Sequence, residues 1–188
     1  MTNEKKFYVH PTADVSDKAT IGDGTKIWHQ AQVREGVVIG SNCIVSKCVY
    51  IDFNVKIGNN CKVQNFVSVY HGVTVEDDVF LGPSCTLTND MYPRAANPNW
   101  KTVETRIKKG ASVGANATIV CGITLGEYCM VGAGAVVPKD VPPHTLVVGN
   151  PARAIGYVCK CGTRVKKVEK KGNKITFKCE ECKETITL

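Results

Sequence analysis

Residues 9–39 read VHPTAD VSDKAT IGDGTK IWHQAQ VREGVV I, and a branched aliphatic side chain opens every block of six. The same period runs without a miss as far as Leu87, and it resumes from Ile107 to Val137. A fixed short period is the sequence signature of a repeat architecture. Six residues fit neither the 3.6-residue turn of a helix nor the two-residue alternation of a strand. The repeat therefore predicts a coil with flat sides, each side a short strand followed by a bend.

The fifth residue of each block is a second apolar position. It is mostly Ala, Val or Cys, which is small enough to fill a narrow core beside the larger first residue. If three sides close one turn, residues 18 apart stack, and the fourth residues of the blocks fall into three columns. Two columns are rich in Gly, Asn and Asp, which tolerate the positive φ of tight corners. The third column lacks these residues and reads Thr12, Gln30, Cys48, Phe66 and Ser84. Corners that differ with a period of 18 favour a triangular β-solenoid, and the general crossover rule predicts a right-handed one.

The composition indicates one main domain with a small appendage. No apolar run approaches the roughly 20 residues of a membrane span, and residues 1–6 are polar, so we expect a cytoplasmic protein without membrane contact.

A buried free thiol acts as a small apolar group, and reduced thiols imply a reducing compartment. Four of the ten cysteines fall at the small inward position: Cys43, Cys61, Cys85 and Cys129.

The formal net charge of +7 is concentrated at the C-terminal end of the chain. Residues 159–188 contain nine Lys or Arg and four Glu, so this segment carries most of the excess. A basic segment can bind nucleic acid, but no aromatic platform accompanies these charges. We therefore interpret the segment as a solvated hairpin and do not expect a nucleic-acid partner.

Several stretches carry a resemblance to a known family: residues 27–29, 67–70, 77–84, 88–94 and 149–153. Together with the hexads they resemble the hexapeptide-repeat acyltransferases, whose fold is all-β, a left-handed parallel β-helix that departs from the crossover rule. The combination is similar to the N-acetyltransferases that act on UDP-2-acetamido-3-amino-2,3-dideoxy-glucuronate in surface polysaccharide biosynthesis. The resemblance covers residues 7–156. It implies acetyl-CoA as co-substrate, a nucleotide-sugar acceptor and a homotrimer with active sites between its subunits.

Two candidate catalytic residues share one corner of the predicted coil. His71 and Asn89 are each third in their blocks and 18 positions apart, so we expect them to stack on adjacent coils about 4.8 Å apart. The repeat is then interrupted over residues 88–106, and a long excursion from a rigid scaffold is usually functional. The resemblance implies that this excursion reaches towards a neighbouring subunit and helps to shape the active-site cleft.

Acetyl transfer to a sugar amine needs an acceptor for the amine proton and a donor to the developing oxyanion. His71 is the candidate base, because an unperturbed imidazole titrates near a pH of about 6.5. Asn89 matches the position that the family places beside the acceptor amine. An amide cannot act as a base, but it can hold the amine or the carbonyl. Water or the substrate itself is the alternative carrier of the proton.

Further candidates follow for the two substrates. Tyr92 and Arg94 in the excursion are candidates for the nucleotide sugar, because a guanidinium fork suits a diphosphate or a carboxylate. Asn65, one side before His71, is another substrate candidate, and a purely structural corner Asn is the competing interpretation. The resemblance implies that the pantetheine arm of CoA lies along small corner residues of the last coils: Gly114, Ala115, Gly132 and Ala133. Lys139 and Arg153 are candidates for the CoA phosphates.

After Tyr157 the period is lost, and residues 157–188 carry a different pattern. Two close cysteine pairs, C-x-C and C-x2-C, are formed by Cys159, Cys161, Cys179 and Cys182. Thiolate pairs joined by a hairpin predict a tetrahedral structural zinc site that resembles a zinc ribbon. A module of about 30 residues also has too little core to fold without such a staple. The single spacer residue in the first pair leaves a redox pair as the alternative.

Three other kinds of function compete with this interpretation. A β-helical carbonic anhydrase needs three histidines on a metal, and we expect no two of the four histidines to lie close together, which argues against it. A non-catalytic scaffold with a zinc-mediated partner site stays open. So does an acetyltransferase for another acceptor, such as a UDP-4-amino sugar, a hydroxyl or a small amine, because a fold alone does not select a function.

Overall fold

The computed structural model describes residues 6–172 and 174–188, and within them the chain forms short strands and no helix. The strands are β1 (Tyr8–Val9), β2 (Asp14–Val15), β3 (Thr20–Ile21), β4 (Lys26–Ile27), β5 (Gln32–Val33), β6 (Val38–Ile39), β7 (Ile44–Val45), β8 (Tyr50–Ile51), β9 (Lys56–Ile57), β10 (Lys62–Val63), β11 (Ser68–Val69), β12 (Val73–Val75), β13 (Phe80–Leu81), β14 (Thr86–Leu87), β15 (Thr105–Ile107), β16 (Ser112–Val113), β17 (Thr118–Ile119), β18 (Thr124–Leu125), β19 (Met130–Val131), β20 (Val136–Val137), β21 (Thr145–Val148), β22 (Arg153–Tyr157), β23 (Glu169–Lys171), β24 (Lys174–Lys178) and β25 (Thr185–Thr187). Across this described part of the chain, no helix has the length and apolar character needed to cross a membrane.

Three sheets form the sides of a triangular parallel β-solenoid. Sheet A has the order β1-β4-β7-β10-β13-β16-β19-β21-β22, sheet B has β2-β5-β8-β11-β14-β17-β20, and sheet C has β18-β15-β12-β9-β6-β3. From β1 to β17, each strand pairs in parallel with the strand three places further on, as in Tyr8↔Lys26 and Val9↔Ile27. Three strands therefore make one coil of 18 residues, which confirms the predicted three sides per turn.

The fourth residue of the block has a positive φ at all three kinds of corner. Asn42 and Asn54 belong to the two columns that favour this conformation, and their φ values are 58° and 56°. The expectation that the third column differs is wrong, because its members also have φ values of 56–61°: Gln30, Cys48, Phe66 and Ser84. Closing a tight corner between two paired strands fixes this angle for whichever residue stands there, and the surrounding pairing supplies the energy. The stacking of residues 18 apart, and not corner composition, makes the solenoid triangular.

The first and fifth residues of the blocks form one continuous core. Every anchor from Ile27 to Val137 is buried, and each contributes about 1.5–3 kcal/mol through the apolar surface removed from water. The four inward cysteines are buried free thiols, as predicted: Cys43, Cys61, Cys85 and Cys129. The anchors of the first coil, Val9, Val15 and Ile21, are only partly buried, because within residues 6–172 a neighbouring coil packs on one side of them only.

The last coil joins the solenoid to a small C-terminal module. β22 turns back and pairs antiparallel with β21 at the end of sheet A, and β23, β24 and β25 form a separate antiparallel sheet. His144 is buried at the junction. Its Nδ1 lies 2.9 Å from Val158 O, and its ring meets the ring of Phe177 edge-on at 5.9 Å. The module thus packs against the solenoid through a fixed side chain.

Candidate functional site

The corner that follows sheet B brings the two predicted catalytic residues together. Because β11 and β14 pair in register, His71 and Asn89 stack one coil apart, and Asn89 Nδ2 donates a 3.2 Å hydrogen bond to His71 O. Both side chains are half-buried. The same column continues through Cys121 and Lys139, since β14, β17 and β20 also pair in register. One edge of the solenoid therefore carries His71, Asn89 and Lys139 in one line at about 4.8 Å per coil, with the buried Cys121 between Asn89 and Lys139.

The imidazole of His71 is held in one orientation. Its Nδ1 lies 3.0 Å from Phe53 O, and its ring stacks on the Phe53 ring at a centroid distance of 4.1 Å and an angle of 14°. A carbonyl oxygen only accepts hydrogen bonds, so the hydrogen of the neutral ring resides on Nδ1. Nε2 is consequently the unprotonated nitrogen of the ring. A histidine in this tautomer is equipped to accept a proton through Nε2.

A buried acid that sequence reasoning missed lies beneath this histidine. Asp52 is 7% exposed, and its Oδ2 accepts the N–H of His71 at 3.2 Å. Its Oδ1 accepts hydrogen bonds from Arg34, Tyr50 and Phe53. Burial raises the pKa of the Asp52 carboxyl group, but these hydrogen bonds outweigh burial and hold the pKa below its ordinary value. The signal in the sequence was the spacing of 18 between Arg34 and Asp52, which stacks opposite charges on one corner.

The excursion leaves the coil at this same corner. β14 ends at Leu87, and β15 begins at Thr105. Two backbone hydrogen bonds of 3.0 Å close the base of the excursion, one from Val103 N to Asn89 O and one from Thr105 N to Gly72 O. The base is thereby fixed against the two candidate catalytic residues, while the rest of the excursion extends into solvent.

A cleft of about 280 Å³ lies beside His71, between the corner and the base of the excursion. Lys56, Thr102 and Glu104 line it, and no sequence motif marked any of them. Lys56 comes from the outer face of sheet C, one coil before Thr74. A cation, an anion and a hydroxyl group beside a histidine suit a ligand rich in polar groups, such as a sugar.

The three predicted substrate residues are not brought to this cleft. Tyr92 is 79% exposed on the excursion. The guanidinium of Arg94 is also exposed, and its Nη1 donates to the neighbouring Pro93 O at 2.9 Å. Asn65 lies at the corner that follows sheet A, and its Oδ1 accepts the N–H of Lys47 one coil below. This bond is a rung between coils, which agrees with the structural interpretation of Asn65.

The predicted CoA residues separate into two groups. Those at the corner after sheet A pack tightly on the next coil. A Cβ on Gly114 would meet Ala133 N at 2.5 Å, and one on Gly132 would meet Val148 Cγ1 at 2.7 Å. Ala115 belongs to the same stack, because a Cβ on Gly82 would meet its backbone N at 2.7 Å. The lack of a side chain at these glycines therefore has a structural cause, the close approach of successive coils.

Lys139 and Arg153 form the second group and do come together. Both line a cleft of about 380 Å³ at the end of the solenoid, together with Pro138 and Ala152. Arg153 Nη1 donates to Ala152 O at 2.9 Å. Because Lys139 stands in the column of Asn89 two coils further on, roughly 10 Å separates their levels along the solenoid. A long ligand can span that distance from the cations to the candidate catalytic corner.

The four cysteines of the C-terminal module converge on one point. Their sulfur atoms all lie within 4.8 Å of one another, with Cys159 and Cys182 at 3.4 Å and Cys161 and Cys179 at 3.7 Å. All four are free thiols. Tetrahedral ligation with Zn–S bonds of about 2.3 Å places sulfur atoms roughly 3.8 Å apart. The donor set and its spacing fit a zinc ion.

The expectation that no two histidines lie close together is wrong. The rings of His10 and His29, on successive coils of the same corner, stack with centroids 3.5 Å apart. Within residues 6–172 and 174–188, the side chains that meet with metal-binding spacing in a group of three or more are the four cysteines of the C-terminal module. That group contains no histidine, so a three-histidine metal site does not follow.

Comparison with known proteins matches the chain to acetyltransferases built from hexapeptide repeats. The family model described as bacterial transferase hexapeptide (six repeats) matches residues 18–52, 54–89 and 104–139. The chain is 44% identical over 168 residues to dTDP-3-amino-3,6-dideoxy-alpha-D-galactopyranose 3-N-acetyltransferase of Aneurinibacillus thermoaerophilus, covering 89% of this chain and 87% of the relative. It also spans about a third of the length of two serine acetyltransferases of Arabidopsis thaliana.

Two solved structures share the fold. The hexapeptide-repeat acetyltransferase of Vibrio cholerae O1 biovar eltor, complexed with acetyl coenzyme A, has a TM-score of 0.59 and 27% identity over 65% of this chain and 70% of that chain. A mutant of GDP-perosamine N-acetyl transferase from Caulobacter crescentus, in complex with CoA and GDP-perosamine, has a TM-score of 0.52 and 25% identity over 79% of this chain and 55% of that chain.

Proposed function

Because the chain belongs to the bacterial hexapeptide transferase family, we propose that it transfers the acetyl group of acetyl-CoA to the amino group of a nucleotide-linked amino sugar. The observation that carries the proposal is the 3.0 Å contact from His71 Nδ1 to Phe53 O, which leaves Nε2 as the acceptor beside Asn89 and a polar cleft. The relative from Aneurinibacillus thermoaerophilus, which bears the name of such an activity, supports the same conclusion.

The proposed reaction needs a neutral amine next to the thioester. The amine nitrogen attacks the thioester carbonyl, the C–N bond forms, and the C–S bond of acetyl-CoA breaks. The proton that the amine loses passes to His71 Nε2 and then to the departing sulfur, so that CoA leaves as the thiol. Asn89 has two amide hydrogens and one oxygen, and a single bond to His71 O leaves capacity to hold the amine or the carbonyl oxygen.

We place the acylated amine at C3 of the sugar. The 44% identity favours a dTDP-linked 3-amino-3,6-dideoxyhexose as the acceptor. UDP-2-acetamido-3-amino-2,3-dideoxy-glucuronate is the second candidate, and the stretches at residues 77–84 and 88–94 support it. Its carboxylate requires a cationic partner, for which Lys56 in the cleft is available, whereas Arg94 lies outside the cleft on the exposed excursion. A product of either kind is a building block for surface polysaccharide.

We also propose that Lys139 and Arg153 hold CoA phosphates, since both face one cleft on the way to the candidate catalytic corner. The exposed excursion, with Tyr92 and Trp100 on its surface, supports a homotrimer in which a neighbouring subunit completes the site. Free thiols at buried positions and acetyl-CoA as co-substrate are in keeping with a cytoplasmic enzyme. The cysteine cluster is proposed to bind zinc as a structural ion.

The experiment that tests this function is acetyl-CoA consumption by the full chain with three acceptors in parallel. These are a dTDP-3-amino-3,6-dideoxyhexose, the UDP-linked 3-amino glucuronate and a 4-amino sugar such as GDP-perosamine. Turnover with either 3-amino sugar supports the proposal, and the faster one identifies the nucleotide and the C6 group. Turnover with the 4-amino sugar alone would keep the reaction and reject the C3 assignment. No turnover together with no acetyl-CoA binding in calorimetry would favour a non-catalytic scaffold.

The roles of the two corner residues are tested by substitution. We expect His71→Gln to lower kcat about 10²–10⁴-fold with a small change in KM, because a general base acts in the transition state. Asn89→Ala should lower kcat and raise KM for the sugar. If His71→Gln keeps wild-type turnover, water or the substrate carries the proton instead.

A further inference from the structure

Asp52 is a buried carboxylate with four hydrogen-bond donors around it. Its Oδ1 accepts from Arg34 Nη1 at 3.0 Å, from the Tyr50 hydroxyl at 2.9 Å and from Phe53 N at 2.9 Å. Its Oδ2 accepts from His71 N at 3.2 Å. Oδ1 therefore binds donors of its own coil and of Arg34 on the coil before, whereas Oδ2 binds the coil that carries His71.

The fold itself does not require an acid at this position. The equivalent residues of the same corner on other coils are not acids, and these coils close equally well: Ser16, Arg34, Tyr70, Thr88, Val120 and Pro138. Burying a carboxylate costs free energy unless hydrogen bonds compensate it. A residue that is costly and dispensable for the coil is expected where it serves a neighbouring group.

The neighbouring group is the imidazole of His71, which Asp52 reaches by two routes. The first runs through Phe53, whose N–H donates a hydrogen bond to Asp52 and whose carbonyl oxygen accepts one from His71 Nδ1. The Phe53 ring also supports the face of the imidazole. The second route is the hydrogen bond to the backbone N–H of His71 itself. Both routes fix the position of the ring without any contact between the carboxylate and the ring nitrogens.

We infer that Asp52, anchored by Arg34 and Tyr50, is a positioning residue that holds His71 in the tautomer with hydrogen on Nδ1 and a free acceptor at Nε2. The inference rests on the proposed function, in which Nε2 takes the amine proton. Asn cannot replace Asp52 without loss. In either orientation of the amide, its NH₂ group faces at least one of the donors that the carboxylate accepts from.

The test compares Asp52→Asn with Asp14→Asn in the full chain. Asp14 accepts from Gln32 Nε2 at 2.9 Å on the exposed face of sheet B, so it provides an acid-to-amide change of the same kind away from His71. The first readout is the tautomer of His71 from long-range ¹H–¹⁵N correlation spectra, with His71→Gln used to assign its signals. The second is kcat and KM for both substrates.

For Asp52→Asn we expect a mixture of tautomers at His71 and a kcat lower by roughly 10–100-fold, with KM values within about twofold of the wild type. Asp14→Asn should leave the tautomer and kcat unchanged. A wild-type tautomer together with a wild-type kcat in folded Asp52→Asn would overturn the inference. So would a lower kcat without a change of tautomer, since the acid would then act by another route.

If Asp52→Asn does not fold, Arg34→Gln makes the same test, because it removes the cation that anchors Oδ1. An unchanged tautomer and kcat in that variant would equally overturn the inference. The two readouts also separate this inference from the proposed function. If His71→Gln is fully active, the base assignment fails, and the tautomer measurement still decides whether Asp52 positions the ring.

Discussion

Replacing Gly114 with Ala distinguishes a stacking role from a ligand-binding role for the small corner residues. A Cβ at this position would lie 2.5 Å from Ala133 N and 2.8 Å from both Ala133 Cα and Gly132 C. All three atoms belong to the backbone of the next coil, which is fixed by strand pairing on either side of the corner. The φ of Gly114 lies outside the left-handed region, so backbone strain does not add to the effect.

The magnitude follows from this geometry. Overpacking against atoms that cannot move away typically costs about 1–3 kcal/mol. For a chain of this size each kcal/mol lowers Tm by about 2–4 °C, so we expect Gly114→Ala to lower Tm by roughly 2–12 °C. Gly132→Ala is the matched comparison. Its Cβ would meet the side-chain atom Val148 Cγ1 at 2.7 Å, while the backbone atom Val147 O is 3.4 Å away. A valine methyl group can turn aside, so the loss should be clearly smaller.

The assay is thermal unfolding followed by circular dichroism, with KM for acetyl-CoA measured on the same preparations. The stacking account predicts a larger fall in Tm for Gly114→Ala than for Gly132→Ala. It also predicts similar KM values for the two variants where both are folded. An unchanged Tm with a raised KM for acetyl-CoA in Gly114→Ala would refute the reasoning. That result would mean that the pantetheine arm, and not the next coil, needs the space.

Three further outcomes are expected. Metal analysis of the purified protein should find one zinc per chain. Cys182→Ser should lose the zinc, and its module should become sensitive to proteolysis. A wild-type zinc content in that variant would reject the four-cysteine site. Burial raises the pKa of Cys85 to about 12, so this thiol should not react with a thiol reagent at pH 8 in the folded chain. The half-buried Cys48 should react, and Cys48→Ser should lower the number of reactive thiols by one per chain. His144→Ala should loosen the junction between the module and the solenoid, because it removes the side-chain bond to Val158 O at a cost of about 1–3 kcal/mol. Faster cleavage near this junction in limited proteolysis would reveal the change.

Much of the fold could be predicted because the solenoid is set by one-dimensional register. Once residues 18 apart stack, the positions of His71 and Asn89 follow from counting, and the structure places them as expected. Handedness did not follow from the residues, because six-residue sides and small corners fit a coil of either hand. Corner composition was also misleading, since Phe66 adopts the same positive φ as Asn42. Strand pairing decides that angle, and a local preference of a few tenths to about 1 kcal/mol does not overrule it.

The site was harder to predict than the fold, because the role of each residue depends on its hydrogen bonds to the neighbouring coil. Asn65 and Asn89 are the same kind of residue at the same position of a block, yet one side chain accepts the N–H of the coil below and the other donates to His71 O beside the excursion. Asp52 carried a signal that counting could have found, since Arg34 lies 18 positions before it. Its relation to His71 runs through a backbone carbonyl, and no side-chain pattern encodes such a path.

The separation of core and corner explains how this coil can carry chemistry. The first and fifth residues of each block provide nearly all of the buried apolar surface, so the second and third residues are free to vary from coil to coil. On the corner after sheet B that freedom has produced Phe53, His71, Asn89 and Lys139 in one column. Because each coil adds about 4.8 Å, the column sets the distance from His71 to Lys139 at the end of the solenoid. A ligand that reaches from Lys139 to His71 must be extended along this edge, which suits a long flexible arm ending in a reactive thioester.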